Sequence, residues 1–167
     1  MQTRWTNDLK KLHPCRDAYE WALTQKSLKS AWANCERGDW MLWLAGKLCK
    51  TVRDRKRLVL AACPCARLAL GYVTKGDGQP LATIRMAEEW AKGNLKITIE
   101  MVRDSADASY AAYAAYAAYA AYAAAYAAYA AAYAAYAAYA SAAKFDMLKK
   151  CAEIVRVSYP NSPRLRR

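Results

Sequence analysis

Residues 109 to 141 read SYAAYAAYAAYAAYAAAYAAYAAAYAAYAAYAS, and no charged residue lies anywhere between 108 and 143. Alanine is the strongest helix former, so the stretch predicts a helical rod roughly 50 Å long at 1.5 Å rise per residue. The rod is expected to be a central or flanking helix that packs on the others, its phenol hydroxyls reaching water or backbone carbonyls at the edges. Its ten tyrosines fall at two spacings. Tyr119, Tyr122, Tyr126, Tyr129, Tyr133 and Tyr136 alternate by three and four, which keeps six rings on one seam. The outer tyrosines step by three, and each step turns the stripe about 60° around the axis. The seam tyrosines are therefore expected to be more buried than Tyr110, Tyr113 and Tyr139.

Packing is the reading favoured for this run, with the alanine faces letting neighbouring helices approach closely. Its length would span a bilayer, but alanine is barely apolar and tyrosine prefers the interface, so no membrane insertion is expected. A wrapping tyrosine stripe is not the flat lattice of an ice-binding face. Aromatic rings beside basic ends also describe a platform for nucleotides or single strands, and this alternative stays open.

Helix signals cover the remaining chain. Pro14 suits a first helical position, followed by Ala18, Trp21 and Ala22 at helical spacing. Ser27 is expected to cap a helix carrying Leu28, Ala31, Trp32 and Cys35, with Gly38 ending it. Asp39 is expected to cap the next, Trp40 to Lys50. A fourth helix is predicted from Val52 to Tyr72, with a kink at Pro64. Pro80 opens a fifth, closed by Gly93. A sixth starts near Ile99 and runs into the repeat. The last, 142 to 158, places Phe145, Leu148, Cys151, Ala152 and Val155 on one face. The expected organisation is a single all-helical domain over residues 1–160, with the repeat helix at 99–141 and a basic tail at 161–167. It is a compact bundle of about seven helices.

The net charge is +12, and residues 1 to 60 hold 13 Lys/Arg against 6 acids, while 144 to 167 hold seven against two. Such an excess favours anionic partners, or simply keeps an apolar chain soluble. Six cysteines occur without C-x-x-C spacing, and His13 is the only histidine. A zinc or redox site is not expected, nor any cofactor. The segment MQTRWTNDLKKLH lacks a signal-type apolar core, so a cytoplasmic protein with reduced thiols is expected. Without a histidine pair or a glycine-rich phosphate loop, the expected protein is not an enzyme. Two groups of residues stand out for binding. One is the turn Glu36, Arg37, Asp39 and Trp40, which also reads as a helix corner with Asp39 as cap and Arg37 paired to an acid. The other is the basic row Arg53, Arg55, Lys56 and Arg57, with Tyr110, Tyr113 and Tyr139 as exposed aromatic partners.

The segments AWANCERGDWMLWLAGKL, DRKRLVLAACPCARLAL, PLATIRMAEEWAKG and KCAEIVRVSYP, taken in order with an alanine-rich helix before the last, resemble the Imm5-like family of immunity proteins. Members of that family occur beside bacterial polymorphic toxins and in phage and mobile-element genomes. The resemblance covers nearly the whole chain and implies an all-α protein that binds and neutralises a toxin or defence effector. Pro64 and the regular tyrosine repeat depart from the family pattern. The resemblance names no target; the basic ends of the chain make an acidic protein surface the expected partner. The alternatives are a nucleotide or nucleic-acid binder, such as a phage-encoded sponge for a signalling nucleotide, and a structural module whose rods pair in a homo-oligomer.

Overall fold

The computed structural model describes residues 3–70, 79–108 and 141–165. These residues form eight helices and, among them, no strand: α1 (Arg4–Lys10), α2 (Arg16–Leu23), α3 (Leu28–Asn34), α4 (Gly38–Leu48), α5 (Val52–Ala69), α6 (Gln79–Lys92), α7 (Ile99–Ala108) and α8 (Ser141–Ser158). The all-α expectation holds. The repeat and its tyrosines, including Tyr110, Tyr113, Tyr139 and the six seam positions, lie outside the described residues.

Local chemistry sets most helix ends. Ser27 caps α3 by accepting the Ser30 N–H at 3.1 Å, as expected of a short polar side chain at that position. Thr51 and Asp54 form a reciprocal box at the start of α5, with the Asp54 N–H on Thr51 Oγ1 at 3.1 Å and the Thr51 N–H on Asp54 Oδ2 at 3.0 Å. Gly93 closes α6 at φ 97°. Its N–H meets the Trp90 carbonyl and the Asn94 N–H meets that of Glu89, which is the Schellman arrangement that favours glycine.

Several expectations are corrected. The helix α1 was not read from the sequence, although Thr3 marks its start by donating its N–H to Thr6 Oγ1 at 3.0 Å. Pro14 does not open α2, because Cys15 intervenes as the capping residue. His13 instead makes the reversal between α1 and α2 in a left-handed conformation, φ 57°. Gly38 begins α4 rather than ending α3, and Arg37, not Asp39, holds the capping position. The helix α5 contains Pro64, as expected, and is described to Ala69. The proline leaves the Leu60 carbonyl without its helical donor, on a side of α5 where Leu60 is exposed and Pro64 half-buried. Phe145 is 63% exposed. At 100° per residue it lies about 90° from the centre of the buried stripe of Met147, Leu148, Cys151, Ala152 and Val155.

The core gathers where α5 packs on α4, α6 and α8, with α8 also lying on α4. Met41, Leu42, Leu58 and Leu148 are all within 2% of full burial. Each such side chain contributes about 1.5–3 kcal/mol of transfer free energy. The contact of α4 with α8 is very close. A Cβ added at Gly38 would lie 2.4 Å from Cys151 Cβ and 2.7 Å from the Ala152 nitrogen. Backbone cannot yield as a flexible side chain would, so only glycine fits. The motif GDW thus encodes a helix start that doubles as a docking point.

Gly38→Ala is expected to cost about 2–3 kcal/mol, by overpacking against backbone, read as a lowered midpoint in urea. Gly93→Ala, strained only by its positive φ, should cost about 1 kcal/mol. Equal costs would show that the α4–α8 approach is not the tighter constraint.

Candidate functional site

The turn of Glu36, Arg37, Asp39 and Trp40 is brought together as a corner between α3 and α4. The Arg37 guanidinium forks onto Asp39, Nε to Oδ1 at 2.9 Å and Nη2 to Oδ2 at 2.6 Å. It also stacks on Trp40, 4.4 Å from the ring centroid. Asp39's bonds raise the Arg37 pKa above its already high ordinary value and hold the guanidinium charged. Glu36, on the outside, meets Lys149 of α8 at 2.8 Å. The Lys149 hydrogen bond, and then its charge, hold the Glu36 carboxyl below its ordinary range. Each charged side chain of the proposed constellation therefore has a partner within the chain. The geometry is that of a helix corner, with Asp39 engaged by Arg37 instead of capping the helix.

The basic row on α5 divides. Arg57 donates to the Ser158 carbonyl through Nε at 3.0 Å and Nη2 at 2.5 Å, and its guanidinium lies 4.3 Å from the Tyr159 centroid. Lys56 Nζ sits 5.6 Å from the Trp90 centroid, beside the end of α6. Both cations stand at helix C-termini, where unpaired carbonyls and the helix dipole favour positive charge. Arg156 does the same for α3, donating through Nη1 to the Cys35 carbonyl at 2.8 Å. Arg53 and Arg55 are exposed. They lie two positions apart, about 200° around the helix, so they do not form one fork.

A cavity of about 50 Å³ lies among α1 to α4, and sequence reasoning missed it. Trp5, Trp21, Trp32, Trp40 and Trp43 line it with Leu9 and smaller apolar groups. Trp21 and Trp40 are tilted against each other at 5.8 Å between centroids. No lining side chain is charged. The Trp32 N–H donates to the Tyr159 carbonyl at 2.9 Å, whereas the buried Trp5 N–H has no acceptor among the described residues. The sequence signal was the tryptophan density of residues 5 to 43, five of the six in the chain. It could not be read without α1.

The thiols are arranged as core groups. Burial pushes Cys35 up to about 11 and Cys63 up to about 12, from an ordinary value of 9.0. The hydrogen bond to Cys151, followed by burial, raises Cys65 further. Thiolate nucleophiles need the opposite shift. Among the described residues no group of three or more His, Cys, Asp or Glu is placed to hold a metal ion. No described helix is long and apolar enough to cross a membrane.

These shifts set a pH dependence. Below about pH 9 the buried thiols are protonated in both folded and unfolded chains, so their contribution to stability is complete. Between 9.0 and about 12 the unfolded chain releases protons that the folded one retains, and stability falls as pH rises. Urea midpoints measured from pH 8 to 11 should decline, less steeply in Cys63→Ala than in the parent. An identical slope would show that Cys63 is not held protonated. No family model matches the chain, and neither a curated protein nor a solved structure matches it.

Proposed function

We propose that this chain is a non-catalytic binding protein that sequesters or neutralises an acidic protein partner, a toxin or defence effector of the kind its resemblance to immunity proteins implies. The observation that carries the reading is where the charge lies. The buried polar side chains among the described residues are Thr6 and Thr83, neither of them charged. The charged side chains whose burial is described thus all reach the surface, with cations in excess, where they can steer an anionic partner at long range. Charge pairs inside the fold, such as Arg37 with Asp39 and Arg67 with Glu88, cancel locally and leave that excess untouched. The protonated thiols of Cys35 and Cys63 favour binding over nucleophilic chemistry.

A nucleotide or nucleic-acid ligand is less well supported. Of the basic row offered for it, Lys56 and Arg57 are engaged at helix ends, and Arg53 and Arg55 diverge. Copurification from the native host, with mass spectrometry of protein and small-molecule fractions, should return an acidic protein in stoichiometric amount. Coexpression should relieve that protein's toxicity. Recovery of nucleic acid or a nucleotide instead, with affinity falling steeply as salt rises from about 50 to 200 mM, would overturn the proposal.

A further inference from the structure

We infer that the tryptophan-lined cavity among α1 to α4 is a binding site for a small amphipathic acid, a branched alkyl group of about three or four carbons carrying a carboxylate. The inference rests on the cavity and does not depend on the macromolecular partner proposed above.

Size and lining define the apolar part. About 50 Å³ of space for water-sized spheres is room for three or four waters, comparable to a branched alkyl group of three or four carbons. Waters placed there would find few partners, because the walls are indole faces and aliphatic side chains. An apolar guest displaces them favourably. Flat rings suit flat or branched guests through offset and edge-to-face contacts.

The charges beside the rings define the head group. Lys47 lies 5.9 Å from the Trp43 centroid and forms none of the ion pairs of the described residues. The Arg37 charge, 4.4 Å from Trp40, is matched by its bond to Asp39, which leaves Lys47 to set the sign of the field at the rings. No acidic side chain lines the cavity. The tryptophan walls would suit a cationic guest, but the Lys47 ammonium opposes one and attracts an anion. The Trp5 N–H, buried without an acceptor, is a donor that a guest oxygen reaching it would satisfy, removing the cost of an orphaned polar group.

Three probes share one branched apolar body and differ in charge: 3-methylbutanoate, 3-methylbutan-1-ol and 3-methylbutan-1-amine. Titrations followed by the indole N–H resonances in two-dimensional NMR have an internal reference, since Trp90 on α6 lies outside the cavity. The acid should bind at about millimolar affinity, at least about tenfold more tightly than the amine at low salt, with the difference shrinking as salt is added. Resonances of cavity tryptophans should move while that of Trp90 stays. Ala18→Leu, which fills the cavity from α2, should abolish binding. Lys47→Gln, at a half-buried surface site, should remove most of the acid's advantage over the alcohol and leave thermal unfolding unchanged. The inference fails if none of the probes shifts these resonances at 10-fold above about millimolar concentration, if the amine binds as tightly as the acid, or if folded Lys47→Gln keeps the parent's preference.

Discussion

The structure depends on how α8 lies across the corner between α3 and α4. Four contacts run along it. Lys149 meets Glu36, Cys151 and Ala152 take the space a side chain on Gly38 would need, Arg156 holds the Cys35 carbonyl, and the Tyr159 carbonyl receives the Trp32 N–H. The corner residues span positions 32 to 38, and their partners lie more than a hundred residues later in the chain. One close helix approach is thus bracketed by charge-assisted and neutral hydrogen bonds. Those bonds satisfy groups that the end of α3 would otherwise leave unpaired. The same seat fixes Trp32 and, through Arg37, Trp40, and so shapes the aromatic cavity on the other side of the corner.

This arrangement explains how a strongly basic chain keeps a well-satisfied fold. Arg57, Lys56 and Arg156 each serve a helix C-terminus, where a cation costs little desolvation and relieves several carbonyls. Other cations, Arg53 and Arg55 among them, remain exposed. Structural and surface charge are therefore interleaved along a single stretch, RDRKR. A binding role for the surface set leaves the fold's own requirements undisturbed.

Local physics was legible in the sequence and distant pairing was not. Ser27, Gly93 and the Ile99 start were readable because caps and glycine stops act within a few residues. The buried stripe of α8 was readable from its period, except at Phe145, which stands at the edge of the stripe. At the corner the distant half of the arrangement was not legible, for a physical reason. Glu36, Arg37, Asp39 and Trp40 form a dense polar and aromatic group, and nothing nearby in the chain shows that Lys149 and Arg156 arrive to occupy it. Gly38 was taken as a stop because a glycine needed for close approach and one needed for positive φ look alike in sequence. The cavity was hidden because α1, short and capped by threonine, carries one of its tryptophans.

The claim that the α3–α4 corner is the seat of α8 is tested most directly at Arg156. Its Nη1 reaches the Cys35 carbonyl at 2.8 Å and the Trp32 carbonyl at 3.4 Å, whereas Arg53 is exposed on α5. Urea unfolding of Arg156→Met should show a loss of about 2–3 kcal/mol, the cost of leaving buried carbonyls without a charged donor, while Arg53→Met stays close to the parent. An Arg156→Met protein as stable as the parent would contradict the account.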